Sequence, residues 1–118
     1  MTERVLIVED EALVALDIAA ALGGSGYEVV GIAAGSTDAI ALAERHEPSL
    51  AVVDVMLSDG IDGITVAREL AQRFGTRIVF ATANPDMALR DARDTSKWLV
   101  IKPYSHGELL RTVQQALA

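Results

Sequence analysis

Residues 50–54 read Leu-Ala-Val-Val-Asp, four apolar residues followed by a carboxylate. The run is short and unbroken, and its valines favour extended backbone. A strand that is apolar along its whole length is typical of a parallel sheet covered by helices on both faces. This stretch therefore predicts a buried parallel strand with Asp54 at its carboxyl end.

Similar apolar runs flank this strand along the chain, and segments with helical spacing separate them. The predicted strands are residues 4–8, 27–33, 50–54, 77–82 and 98–101. The predicted helices are residues 12–22, 36–46, 64–74, 86–93 and 105–117. Residues 36–38 supply N-cap chemistry for the second helix, and Ser105 with Glu108 forms a capping box for the last. Five β-α units predict an open, doubly wound parallel sheet, because a barrel takes about eight.

Length, charge and cysteine content exclude several classes of function. The 118 residues suffice for a single domain, predicted over residues 1–118. Seventeen acidic against ten basic residues give a net charge of −7, which disfavours direct binding to nucleic acid. The chain has no cysteine, which excludes disulfides and thiolate metal sites. No apolar run reaches the roughly 20 residues that cross a membrane, so a cytoplasmic protein without membrane contact is expected.

Polar side chains follow the predicted strands at their carboxyl ends, where open α/β sheets bind ligands. They are Glu9 and Asp10 after the first strand, Asp54 on the third, Thr82 on the fourth, and Lys102-Pro103 after the fifth. Two carboxylates 4 Å apart repel by about 4 kcal/mol at an effective dielectric constant of ~20, so the three acids need a proton or a cation. Oxygen donors suit Mg²⁺, and the backbone carbonyl of Met56 is expected to add a ligand.

A divalent cation beside a carboxylate, a hydroxyl and an amine is suited to binding phosphoryl oxygens. Asp54 is then expected to be the nucleophile that forms an acyl phosphate. Lys102 would neutralise charge on the transferring group, and the Thr82 hydroxyl would donate to a phosphoryl oxygen.

The sequence resembles the receiver domain of two-component response regulators over essentially its whole length. The matching stretches are VLIVEDE, LAVVDVML, DGIDGITVA, IVFATAN and IKPYS. The resemblance implies a CheY-like, flavodoxin-like fold with strand order 2-1-3-4-5. It implies a phosphorylation-dependent signalling switch, a regulator that assists its own phosphotransfer and dephosphorylation and is not a classical enzyme.

The resemblance also gives each residue at the strand ends a role. It implies Asp54 as the phosphoacceptor, with a sensor histidine kinase or a histidine phosphotransferase as donor. The other implied roles are an Mg²⁺ site of Glu9, Asp10, Asp54 and the Met56 carbonyl, a switch hydroxyl on Thr82, a phosphate-contacting Lys102, and a cis peptide before Pro103. A kinase is expected to dock on the first helix, and a homodimer partner or output protein on the last β-α units.

The sequence departs from the family pattern at several positions. An aromatic switch residue commonly lies three positions before the lysine, but Leu99 is there and Trp98 precedes it. Either the segment is shifted by one residue or the aromatic switch is absent. Ser58 replaces a common proline, and the loop to Gly63 is one residue longer than usual. These features, with Phe80-Ala81-Thr82 on the fourth strand, are similar to the FAT GUY subgroup of receivers, although Ala83-Asn84-Pro85 replaces its glycine-containing continuation. In that subgroup, ordering of the loop and helix after Thr82, residues 86–97, would carry the signal.

Two other functions are compatible with this fold class. A receiver-like interaction module that is never phosphorylated is the alternative, although it would not need both Asp54 and Lys102. A Mg²⁺-dependent hydrolase is disfavoured because Met56, not a second acid, lies two residues past Asp54.

Overall fold

The computed structural model describes residues 2–57 and 63–118. Within these residues, strands and helices alternate along the chain. The strands are β1 (Arg4–Val8), β2 (Glu28–Ala33), β3 (Leu50–Asp54), β4 (Arg77–Thr82) and β5 (Leu99–Ile101). The helices are α1 (Ala12–Gly23), α2 (Ser36–His46), α3 (Gly63–Phe74), α4 (Pro85–Asp91) and α5 (His106–Leu117). The predicted loop positions Ser58 and Gly60 lie outside the described residues.

The strands form one parallel sheet in the order β2-β1-β3-β4-β5, which confirms the predicted doubly wound architecture. β3 lies at the centre, and all of its residues are buried. Asp54 pairs in register with Ala81, and Thr82 pairs with Ile101. This register brings the residues that end or follow β1, β3, β4 and β5 to one edge of the sheet.

Alternate side chains of each strand enter two separate apolar cores. Leu6, Val53 and Phe80 lie in the core under α2, α3 and α4. The core under α1 and α5 includes Ile7 and Val52 on the opposite face. Both faces of the central strands are covered, which explains why their sequences are apolar throughout instead of alternating.

Several element boundaries differ from the sequence prediction. β2 and β5 each begin one residue later than predicted. α4 ends at Asp91 instead of residue 93, because the carbonyl of Ala92 accepts hydrogen bonds from Thr95 and Ser96 in a turn. None of the helices in the described part of the chain is long and apolar enough to cross a bilayer.

The two predicted helix caps have different outcomes. The N-cap of α2 is Gly35, which makes no side-chain cap hydrogen bond, and Ser36 is already the first helical residue. The capping prediction for residues 36–38 is therefore wrong. At α5 the prediction is confirmed, since the Ser105 hydroxyl accepts a hydrogen bond from the Glu108 amide at 3.1 Å.

Candidate functional site

Three carboxylates meet at the carboxyl edge of the sheet, where β1 and β3 end side by side. We call Glu9, Asp10 and Asp54 the acidic cluster, and one oxygen from each lies within 4.8 Å of the others. Glu9 and Asp54 are buried, whereas Asp10 is partly exposed. The amide of Glu9 donates to the carbonyl of Ala33 at 2.9 Å, which fixes the chain just past β1. The cluster therefore sits on backbone that the sheet holds in position.

Lys102 contacts two of these carboxylates with one amine. Its Nζ lies 2.8 Å from Glu9 Oε1 and 3.0 Å from Asp54 Oδ2. The Lys102 side chain is only 19% exposed, so water screens these ion pairs weakly. The amide of Lys102 donates to the carbonyl of Thr82 at 2.9 Å, which ties β5 to the end of β4.

Burial and pairing act in opposite directions on the ionisation of this site. Burial and the nearby Asp54 charge, opposed by the hydrogen bonds from Lys102 and the Glu11 amide, raise the pKa of Glu9 from 4.5 to about 6. Burial lowers the pKa of Lys102, but its hydrogen bonds to Glu9 and Asp54 outweigh this, and the pKa is raised above its usual value. The lysine is therefore charged at neutral pH, and Glu9 holds a proton more readily than an ordinary glutamate.

The loop after β3 contacts the second oxygen of the Asp54 carboxylate, the one that Lys102 does not contact. The amide of Met56 donates to Asp54 Oδ1 at 3.0 Å, so both carboxylate oxygens have a partner. The Met56 side chain is more than half exposed at the rim of the site. The carbonyl of Met56, predicted as a metal ligand, stays a prediction.

Thr82 is fully buried, and its hydroxyl connects the site to the start of α4. Thr82 Oγ1 accepts a hydrogen bond from the amide of Asn84 at 2.9 Å. A hydroxyl can accept and donate at the same time, so this contact leaves the Thr82 proton for another acceptor. This hydrogen bond links the hydroxyl directly to the chain that enters α4.

Gly63 is essential to the site geometry, a role that sequence reasoning did not identify. Its amide donates to the carbonyl of Val55 at 2.9 Å. A Cβ atom there would lie 1.8 Å from the Asp54 carbonyl oxygen. Only glycine fits at this contact, and the signal in the sequence was a glycine directly before the apolar face of α3.

Tyr104 is a second residue that sequence reasoning missed. Its hydroxyl is buried and has no hydrogen-bond partner among the described residues. Burial raises the pKa of Tyr104 to about 12, with the charges of Lys102, Glu9, Asp17 and Asp54 close enough to contribute. The phenol is therefore neutral beside the site.

The segment before Lys102 resolves the question of the aromatic switch. Leu99 pairs with Phe80 and packs on the α2–α4 side, whereas Trp98 packs on the α1 and α5 side. Trp98 therefore does not take the place of Leu99, and the position three residues before Lys102 holds an aliphatic side chain. The peptide bond between Lys102 and Pro103 is cis.

The donor set fits a hard divalent cation. All ligand atoms of the acidic cluster are carboxylate oxygens, the donors that Mg²⁺ prefers. Lys102 offsets only one of the three negative charges, so the site still attracts a cation. Because Asp10 is partly exposed, the cluster also has room for water molecules in the coordination shell.

Comparisons with known proteins identify the family of the chain. The family model for the response regulator receiver domain matches residues 5–114. The phyllosphere-induced regulator PhyR of Methylorubrum extorquens is 34% identical over 99% of this chain and 44% of its own length. The transcriptional regulatory protein PdtaR of Mycobacterium tuberculosis is 39% identical over 98% of this chain and 57% of its own length. The chain thus spans about half the length of these relatives.

A solved structure shows the same fold. The solution NMR structure of the PhyR receiver domain from Erythrobacter litoralis superposes with a TM-score of 0.91 at 31% identity. The match covers 98% of this chain and 90% of that one. A likeness this extensive includes all of the strands that form the edge described above.

Proposed function

The chain belongs to the response regulator receiver domain family, and we propose that it is a phosphorylation-dependent switch with Asp54 as its phosphoacceptor. The observation that carries the proposal is the shared contact of Lys102 Nζ with Asp54 and Glu9 at the carboxyl edge of the sheet. A buried carboxylate with both oxygens held is oriented before the reaction, which lowers the entropic cost of attack. The proposal makes the protein a regulator and not a classical enzyme.

The proposed step is transfer from a phosphohistidine of a sensor histidine kinase or histidine phosphotransferase. An oxygen of Asp54 attacks the phosphorus, the P–N bond breaks, and its electron pair stays on the imidazole nitrogen. The product is an acyl phosphate on Asp54. Attack by water on the phosphorus later returns the free carboxylate and inorganic phosphate.

Lys102 and Thr82 would support this step from two sides. The Lys102 ammonium already contacts Asp54 Oδ2, so a small shift would place it against a phosphoryl oxygen. The Thr82 hydroxyl would donate its proton to another phosphoryl oxygen while it accepts from Asn84. Both contacts stabilise charge that the transfer brings into a buried site.

Glu9, Asp10, Asp54 and the carbonyl of Met56 are the proposed Mg²⁺ ligands. Mg²⁺ supplies positive charge for the phosphoryl oxygens and a template that orients them. The three carboxylates, the Lys102 ammonium and a divalent cation are together neutral, which stabilises their burial. We expect Mg²⁺ to raise the thermal stability of the protein, and Asp10→Asn to weaken this effect.

The wider assignments follow from family membership and stay proposals. Residues 1–118 are proposed to act as one receiver domain in the cytoplasm. The proposed partners are the phosphodonor at α1 and either an output protein or a second copy at the last β-α units. Direct contact with nucleic acid or membrane is not proposed.

The experiment is intact-protein mass measurement after incubation with acetyl phosphate and Mg²⁺. We expect the wild type to gain one phosphoryl group and Asp54→Asn to gain none. Asp38→Asn is the matched control because Asp38 is an exposed acid on α2, and it should behave as the wild type. Chelation of Mg²⁺ by EDTA should prevent the gain.

Two results would contradict the proposal. A phosphoryl group on Asp54→Asn would mean that another residue is the acceptor. No gain in the wild type, with no change of Trp98 fluorescence on addition of beryllofluoride and Mg²⁺, would favour the unphosphorylated interaction module.

A further inference from the structure

The segment that contains α4 is held in place mainly by polar contacts. We call residues 85–97 the α4 segment. Of its described side chains, Ala88 and Ala92 are the ones that are buried, and each contributes little more than a methyl group. Leu89 is more than half exposed. The described side chains thus supply little apolar packing, and polar contacts carry much of what holds the segment in place.

Hydrogen bonds anchor the chain at each end of the α4 segment. Just before it, the Asn84 amide binds the Thr82 hydroxyl. Towards β5, Ser96 Oγ donates to the carbonyl of Ile78 at 2.5 Å and accepts from the Trp98 amide at 3.0 Å. Both contacts are local to β4 and β5.

A further contact comes from a different helix. Arg68 projects from α3, and its Nη2 donates to the carbonyl of Asp91, the last residue of α4. The same nitrogen lies 3.4 Å from Asp94 Oδ1 in the turn that follows. Carbonyls at a helix C-terminus lack partners within the helix and carry partial negative charge, so a guanidinium suits this position.

The buried position of one Arg68 donor nitrogen is energetically unfavourable. Its Nε is buried and has no hydrogen-bond partner among the described residues. A buried donor without an acceptor is unfavourable, and a guanidinium donor more so. The arrangement seen here therefore carries an unfavourable term at Arg68 itself.

We propose that Arg68 is a regulatory latch. It holds the α4 segment against α3, in the closed position seen here, until a change at Thr82 repositions the start of α4. The coupling to Thr82 rests on the proposed phosphorylation of Asp54, whereas the latch itself does not. A phosphoryl group that engages the Thr82 hydroxyl would act on the start of the segment, and Arg68 would resist at its end. Removing Arg68 should open the segment without any phosphoryl group.

The test is hydrogen–deuterium exchange of the full chain, first without any phosphoryl analogue. Arg68→Ala should exchange about fivefold faster than the wild type across residues 88–96, because local opening becomes more frequent. Exchange in β1 and β3 should not change. Arg68→Lys keeps a cation with fewer donors and should restore part of the protection. Arg73→Ala is the matched control, because Arg73 lies on α3 but pairs with Glu69 and Glu44.

A second arm adds beryllofluoride and Mg²⁺ as the phosphoryl analogue. In the wild type it should increase exchange in the α4 segment, the reverse of the ordering that the resemblance to the FAT GUY subgroup implies, and in Arg68→Ala the further increase should be smaller because the segment is already open. Unchanged protection in Arg68→Ala, or an equal rise in β1 and β3, would overturn the latch. If Arg68→Ala opens the segment but beryllofluoride leaves the exchange of the wild type unchanged, Arg68 still holds the segment and its coupling to Thr82 is wrong; the mass measurement decides separately whether Asp54 is phosphorylated.

Discussion

The acidic cluster and the α4 segment lie on opposite sides of Thr82 and are built in opposite ways. The acidic cluster follows strands whose residues are almost entirely buried, and Glu9 and Asp54 are themselves buried. Among the described side chains, the α4 segment is held by a few hydrogen bonds and two buried alanines. The sheet fixes the first region, whereas polar contacts near Thr82, at Ser96 and with Arg68 hold the second.

This difference separates chemistry from movement. A nucleophile and its charge partners need fixed positions, which strand ends in a packed sheet provide. A segment that responds to a ligand needs a small free-energy difference between its states, which sparse packing provides. Thr82 belongs to both regions, since its backbone pairs in the sheet and its hydroxyl binds the chain that enters α4.

The largest effect is expected on the rigid side, at Gly63. Gly63→Ala would force a methyl group against the Asp54 carbonyl, 1.8 Å from its oxygen, so backbone must move. We expect a loss of about 3 kcal/mol in the free energy of unfolding, at the upper end of overpacking effects. Urea denaturation measures this loss of stability. Phosphorylation of Asp54 should also decrease, because the movement of the backbone displaces the carboxylate.

Gly23→Ala is the control with the same chemical change. No atom lies within 4 Å of a Cβ atom at Gly23, the last residue of α1. This variant should be neutral or more stable by about 0.5 kcal/mol, since alanine restricts the unfolded chain. Equal stability of the two alanine variants would show that the loop after β3 is not held as tightly as the cluster requires.

A smaller effect is expected when Lys102 loses its charge. Lys102→Met leaves Glu9 and Asp54 facing each other without a cation, and we expect a loss of about 2 kcal/mol at pH 7 without Mg²⁺. The pKa of Glu9 is about 6 in the folded protein, against the ordinary 4.5 expected in the unfolded chain. The contribution of Glu9 to the free energy of unfolding therefore decreases as the pH rises from 4.5 to 6. Without Lys102 the pKa of Glu9 should rise further and extend that loss to higher pH. The difference from the wild type should therefore shrink by about half at pH 5.

Lys97→Met is the control for charge and side-chain length. Lys97 is exposed and lies over the Trp98 ring at 5.0 Å, so its loss should cost at most about 1 kcal/mol. The cost should not depend on pH between 5 and 7. A pH-independent cost for Lys102→Met would contradict the coupling between Lys102 and Glu9.

The sequence predicts the rigid region far better than the loosely held one. Continuous apolar runs specify buried parallel strands, and strand ends such as Asp54 and Thr82 are then brought together by topology alone. The end of α4 depends instead on a turn at Ala92 and on Arg68, which is distant in sequence. The close approach of Gly63 to Asp54 likewise exists only once the chain has folded. Contacts of this kind leave no periodic pattern in the sequence.

The smallest effect is expected at Ser96, on the loosely held side. Ser96→Ala removes the hydrogen bonds to the Ile78 carbonyl and from the Trp98 amide, a loss of about 1 kcal/mol. Ser25→Ala, in the exposed turn after α1, should cost less than about 0.5 kcal/mol. If a few polar contacts hold the α4 segment, hydrogen exchange in Ser96→Ala should rise within residues 85–98 more than in β1 or β3. A uniform rise of hydrogen exchange across all strands would mean that the segment unfolds together with the sheet. The two regions would then differ in burial but not in local stability.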